Sequence, residues 1–340
     1  MDEYFTLAGE LSQLKREVGS ARTQTVHNME SLSAQLTWAE HRHGELKGQV
    51  EEVISRQVGE ALSEAGLRVP LGPDGSNWFF PPSQFFLLPP PFVLVTSSRD
   101  RIAIQGSYLL SPNLDLKDME NIEQQAEGSG GMSALVERTG GFSLYPAWVS
   151  DDVTLRDTLN VVAHEWTHAY LSMFYPLGRG YLLDHEMRTI NENVADMVGD
   201  EIGEAVYKRY YAAVEKPPSA TSANAIRARQ ADFAGQVRQI GRAVERLLAQ
   251  GRIDDAESYM ETARRQLNAD GYPLRRLNQA YLAFHGSYAE PTGTESESPV
   301  SPIGKILKDA RASSSSLGEF VQRVGEVRAY SDLLEMAPNN

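Results

Sequence analysis

Two histidines four residues apart, with a glutamate directly after the first, give this chain its clearest capacity for chemistry: His164-Glu165-x-x-His168. On an α-helix, positions i and i+4 lie on one face a turn apart, so both imidazoles can offer a ring nitrogen to a single metal ion. Glu165 stands outside that pair yet close to a metal-bound water, whose proton it can take. The competing account is a helix with two unrelated histidines. The flanks argue against it, because Val161, Val162 and Ala163 before the motif and Ala169, Tyr170 and Leu171 after it make an apolar helix rather than a solvated charged face. Asp151 or Asp152 is expected to cap its start, and Pro176 with Gly178 to end it.

A catalytic zinc keeps three protein ligands and one open position. The chain has no cysteine, so the third ligand must be another carboxylate or imidazole. The candidate stretch is Asn191-Glu192-Asn193-Val194-Ala195-Asp196, expected to open a second helix. Taken together, His164-Glu165-x-x-His168 and Asn191-Glu192-x-x-x-Asp196 resemble the gluzincin, or thermolysin-like, zinc metallopeptidases. The resemblance implies that Glu192 is the third zinc ligand and that Asp196 orients the first histidine from outside the ligand set. It also implies one zinc per chain, a zincin-like core and peptide hydrolysis with Glu165 as general base. The chemistry agrees, since a Glu and an Asp four apart share a helix face and a ligating imidazole needs an acceptor for its other N–H. Only residues 160–204 carry the close resemblance. A looser one is to uncharacterised bacterial proteins labelled aminopeptidases, in which the same motif pair sits among extra helices.

Glu192 has a second account. Thr189-Ile190-Asn191-Glu192 matches a capping box, in which Glu192 would only bond back to the Thr189 backbone. That account leaves the histidines without a third partner. Asp184, His185, Glu186, Glu201 and Glu204 are reserve ligands; His185-Glu186 starts like a second copy of the motif, but no histidine follows at the required position.

The elements that must hold these residues lie in a chain of 340 residues, long enough for one large or two moderate domains, and its 41% hydrophobic content permits a substantial core. A formal charge of −14 disfavours nucleic acid and charge-driven binding to an anionic membrane as partners. No apolar run reaches the length of a membrane span, and the acidic Met1-Asp2-Glu3 start does not resemble a signal peptide. The expectation is a soluble, cytoplasmic chain, anchored or exported only if an upstream segment is missing; no membrane anchor is visible in it.

Residues 1–66 form the first unit expected, a helical, coiled-coil-like arm with a heptad seam running through Leu7, Leu11, Leu14, Leu32, Leu36, Ala39, Leu46 and Val50. It reads as one long helix or as two joined near His43-Gly44, and it offers either a homodimer or partner contact or a surface that packs along the rest of the chain. His27, His41 and His43 read as surface or seam residues. Residues 67–91 form a connector rich in proline and aromatic residues, expected to pack as a strap because a free linker would not carry so many apolar rings. Residues 92–340 are the metallopeptidase domain expected from the resemblance, with sheet and metal helices over 92–204 and helices over 205–340.

Within that domain, Phe92 to Thr96 and Arg101 to Leu110 read as strands around a Ser97–Asp100 turn, the second being the candidate edge strand for an extended peptide. Leu114 to Glu127 and Met132 to Arg138 read as short helices. Near the C-terminus, His285 and Tyr288 have the chemistry and order of oxyanion donors in the thermolysin-like group, and are expected as catalytic residues alongside Glu165. A core aromatic cluster explains them equally well.

The fold class expected is therefore α+β and mostly helical, with a small sheet, a long N-terminal helical arm and a helical C-terminal region. The function expected is a zinc-dependent metallopeptidase acting on peptide or protein substrates. From a different class, the chain reads as a scaffold or adaptor with a structural or degenerate zinc site and a partner-binding arm. An exopeptidase would further need a cationic residue or carboxylate cluster to grip a substrate terminus, and the sequence has no local signature for either.

Overall fold

The computed structural model describes residues 1–20, 26–70, 72, 74–89, 91–128, 130–139, 141–142, 145–181, 184–212, 220–287 and 302–337. The fold is α+β and mostly helical. The first half contains α1 (Asp2–Ser20), α2 (Val26–Glu64), β1 (Phe85–Leu88), β2 (Phe92–Ser98), β3 (Ile104–Leu110), α3 (Leu116–Glu127) and β4 (Met132–Arg138). Then follow β5 (Gly141–Phe142), β6 (Ala147–Ser150), α4 (Leu155–Phe174), α5 (Pro176–Gly180) and α6 (His185–Tyr210). The rest is helical: α7 (Ala220–Ala249), α8 (Ile253–Ala269), α9 (Gln279–Ser287), α10 (Ile303–Ser313), α11 (Leu317–Gly325) and α12 (Tyr330–Glu335).

These elements form two compact units, each built from segments distant in sequence. The first comprises Met1–Pro90, Gly140–Val214 and Ser301–Asn340, and the second Pro91–Thr139 and Glu215–Val300. The linear division expected at residues 66 and 91 is not the division by packing.

In the first unit, α1 folds back on α2. Leu7, Leu11 and Ala39 are buried together, with Leu14, Leu36 and Leu46 against them, so part of the heptad seam is used within the chain. The arm is two helices, α1 and α2, but α2 runs unbroken through His43-Gly44, so the joint offered as one alternative there is absent. His43 is buried as a seam residue, its ring stacked 4.0 Å from that of Tyr4, whereas His41 is exposed beside Glu45. The side chain of His27 is outside the described residues. Further along α2, Val50, Ile54, Val58 and Leu62 enter the main core with α4, α6 and α10 to α12.

The connector does pack as a strap. Phe79 stacks on Trp166 at 5.4 Å, the Trp166 indole Nε1 donates to the Pro81 carbonyl at 2.7 Å, and β1 enters a sheet. That sheet has the order β1-β6-β5, with β1 parallel and β5 antiparallel to β6. Alternation buries Phe85, Leu87, Ala147 and Val149 on one face while Phe86 and Trp148 remain exposed, as a half-covered sheet requires. Glu51 of α2 accepts from the Leu87 N–H at 2.7 Å and so ties the sheet to the arm.

The second unit is an antiparallel sheet of order β3-β2-β4 with α3 and α7 to α9. β4 corrects the helix expected over Met132 to Arg138. It pairs along its whole length with β2, from Phe92↔Arg138 to Ser98↔Met132, and the pairing overrides the helical propensity of its Ala, Leu, Glu and Arg. Its outer edge is closed by α3: Glu123 and Glu127 accept from the N–H groups of Val136 and Ala134 at 2.7 and 3.2 Å. β3 is an edge strand as expected, but it belongs to this second unit, whereas the His-Glu-x-x-His helix belongs to the first. Among the described residues no helix is long and apolar enough to cross a membrane.

Candidate metal centre

The motif helix α4 begins one turn later than expected. Thr154, rather than Asp151 or Asp152, is its N-cap, accepting from the Asp157 N–H at 3.2 Å. The helix is buried on several sides through Leu155, Leu159, Val162, Ala163, Trp166, Tyr170 and Leu171, so the imidazoles are fixed by the packing of their own helix. The partner helix α6 starts at His185 with Asp184 as its cap, accepting from the Met187 N–H at 3.0 Å. Glu192 therefore stands in the helix interior, and the capping-box account no longer applies to it.

His164, His168 and Glu192 converge. Their ligand-type atoms form a small triangle: Nε2 to Nε2 is 2.9 Å, and each Nε2 lies 3.4 Å from Glu192 Oε2. A tetrahedral zinc with bonds of 2.0–2.1 Å holds neighbouring ligand atoms about 3.3 Å apart, which is the scale of this triangle. His168 and Glu192 are buried, while the His164 side chain keeps 17% of its surface exposed.

The opposite edge of each ring is held by a further residue. Nδ1 of His164 lies 2.8 Å from Asp196 Oδ1, and Nδ1 of His168 lies 2.6 Å from Asn191 Oδ1. A carboxylate oxygen accepts only, and the Asn191 amide is oriented by its Nδ2 donating to the Leu177 carbonyl at 3.5 Å. Both rings therefore carry a proton on Nδ1 and turn Nε2, the nitrogen that can bind a metal or take a second proton, toward Glu192. Three acceptors within hydrogen-bond distance of one another repel unless a cation sits among them. A proton is one such cation, and the ionisation of the site favours one on His164. Burial opposes charge on His164, but hydrogen bonds to Asp196 and Glu192 and the charge of Glu165 outweigh it and raise its pKa well above the ordinary value. Burial likewise opposes charge on Glu192, yet the His168 and His164 imidazoles hold its carboxyl well below the usual range. The donor set suits a divalent ion of borderline softness.

Two further residues hold the ligands. The Tyr181 hydroxyl donates to Oε1 of Glu192, which leaves Oε2 to face the histidines, and the Tyr181 ring meets His168 edge-on at 5.4 Å. The motif spacing assigns no role to Asn191 or to Tyr181. Their partners lie on other elements, so spacing gave no signal for either.

The approach of α6 to α4 is set by glycine. A Cβ on Gly199 would lie 2.8 Å from the Asn160 carbonyl oxygen and 3.3 Å from His164 Cβ, closer than ordinary contact allows. Glu165, the expected base, is buried on α4 beside the ligand pair.

The reserve ligands have other roles. Asp184 caps α6, Glu186 is exposed, Glu201 pairs with Arg311 at 2.7 Å, and Glu204 pairs with Arg156 at 2.5 Å. The side chain of His185 is outside the described residues. His285 lies in the second unit, on α9, with its ring 4.2 Å from Tyr281 and 5.1 Å from Phe284 and its Nε2 4.0 Å from Glu137. It thus belongs to an aromatic cluster of that unit. Tyr288 lies outside the described residues.

Comparison of the chain with protein-family models, curated proteins and solved structures gave no match. The site's own geometry carries its reading.

Proposed function

We propose that this protein is a zinc-dependent peptidase of gluzincin type. One observation carries the proposal: His164, His168 and Glu192 turn three ligand-type atoms to one point, with Asp196 and Asn191 accepting from the Nδ1 side of the two rings. A zinc held there would supply Lewis acidity and lower the pKa of a bound water to about 7. Glu165 follows the first ligand on a buried helix, and its carboxylate takes the proton of the attacking water and returns it to the leaving amine. Asp196 and Asn191 keep the two rings aimed, and Tyr181 keeps one oxygen of Glu192 out of the ligand set. The partly exposed His164 side chain supports solvent access at the centre.

The test separates ligation from chemistry. Zinc content by mass spectrometry should be about one per chain in wild type and in Glu165→Gln, and should fall in Glu192→Ala. Wild type should cleave members of a mixed peptide library, whereas Glu165→Gln should lose cleavage by at least about a hundredfold. Zinc without cleavage would move the scaffold reading ahead; absence of zinc would remove the proposal.

A further inference from the structure

A peptidase centre needs a feature that selects which part of a peptide it grips, and the packing around Tyr181 supplies a candidate. Arg188 lies one helical turn before Glu192 on α6, on the same face. Its guanidinium carbon is 5.4 Å from the centre of the Tyr181 ring, and its Nε donates to the Tyr181 carbonyl at 3.4 Å. The same ring touches His168 edge-on at 5.4 Å, and its hydroxyl holds Glu192. Tyr181 thus joins Arg188 to two of the three ligand-type residues. At about 3.4 Å per residue, the guanidinium is within the reach of about three extended residues from the centre.

Arg188 combines partial burial with the lack of an ion pair. In the same unit Arg156, Arg209 and Arg311 each rest on a glutamate, and Arg68 and Arg179, which have no ion pair among the described residues, are exposed. Among the described residues Arg188 has no ion pair, although it is part-buried and the chain carries a formal charge of −14. Its Nε is used, and among the described residues the fork of its two Nη groups has no carboxylate partner. That fork matches a carboxylate in two parallel hydrogen bonds.

We propose that Arg188 anchors a carboxylate of the substrate, so that the centre prefers peptides bearing a free C-terminus or an acidic side chain within about three residues of the scissile bond. For the reaction this rests on the peptidase reading; for binding it stands separately. Arg188 is a specificity-determining residue that touches substrate away from the reacting atoms.

The test uses the full chain carrying Glu165→Gln, with zinc added, and fluorescein-labelled hexapeptides of mixed sequence read by anisotropy. One pool has free C-termini and no acidic side chains, a second is the same pool amidated, and a third is amidated with one glutamate per peptide. At least one carboxylate-bearing pool should bind about tenfold more tightly than the neutral pool, and which one does so identifies the source of the carboxylate. Adding Arg188→Gln should bring that pool to within about twofold of the neutral one while leaving zinc affinity, measured by chelator competition, unchanged. Arg188→Lys should retain part of the preference, since it keeps the charge and loses the fork. Equal binding of the three pools, or a preference that survives Arg188→Gln, would overturn the inference. So would a loss of zinc in Arg188→Gln, which would make the arginine a support for Tyr181. If binding depends on Arg188 but wild type cuts none of the pools, hydrolysis fails and the anchor stands.

Discussion

The two imidazoles of the motif lean on unlike acceptors, a carboxylate for His164 and an amide for His168. Either acceptor fixes the tautomer, so either is needed for an Nε2 lone pair to face the centre. Asn191→Ala is expected to weaken zinc binding about 10- to 100-fold, as is Asp196→Ala, while Asn191→Asp, which keeps an acceptor at the same place, should lose much less. Competition against a chelator of known affinity measures all three. Asp196 was legible in the sequence because it stands four residues from Glu192, a relation that the helix itself guarantees. Asn191 was not, because adjacent helix positions point in different directions and its partner lies on α4. The same holds for Tyr181, which precedes α6. Side-chain pairs within one helix can be read from spacing; pairs between elements require the packing.

Helices α4 and α6 are held close enough for three residues to share one point, and small residues at the crossing make that approach possible. Gly199 meets the Asn160 carbonyl and the Cβ of His164, and Gly203 on the next turn meets the Asn160 side chain. Gly199→Ala places a Cβ where backbone must yield, so the helices separate and the ligand triangle opens. The expected cost is about 1–3 kcal/mol, read by urea denaturation, with a parallel fall in zinc affinity. A substitution that lowered neither would show that the crossing tolerates expansion. The apolar run from Val161 to Leu171 made α4 legible, but its start lay after the aspartates that seemed placed to cap it, because Thr154 reaches the free N–H of Asp157. β4 was misread for the reason that local propensity is weak beside strand pairing: Met132 to Arg138 has helix-forming residues and a full-length partner in β2. α6 began earlier than its motif suggested, which turned Glu192 from a candidate cap into an interior residue.

The unit that holds the ligand residues is assembled from three stretches of chain, and this long-range assembly was the least legible feature. The arm, the strap and the C-terminal helices each present an apolar face, and amphipathic periodicity shows that a face is buried without showing against what. Here the core joins Ile54, Val58 and Leu62 of α2 with Leu159 and Val162 of α4, Ile190 and Val198 of α6, and Leu307, Phe320 and Val324 of α10 and α11. The metal helices therefore depend on residues more than a hundred positions away in the chain. Phe320 is fully buried in that core, so Phe320→Ala should cost about 3–5 kcal/mol, from lost apolar burial and the cavity left behind. Its effect on zinc should follow from the same loss: binding measured well below the new melting temperature should stay near wild type, because no ligand contact is removed. Deleting residues 301–340 should do more, since it uncovers the side of α6 on which α10 packs and the side of α5 on which α11 packs, and the shortened chain should lose both cooperative unfolding of this unit and zinc binding. Circular dichroism with thermal melts, beside zinc analysis of the purified fragment, distinguishes the cases. A truncated chain that melted cooperatively and kept its zinc would mean that the C-terminal helices cover the metal unit without being part of its fold.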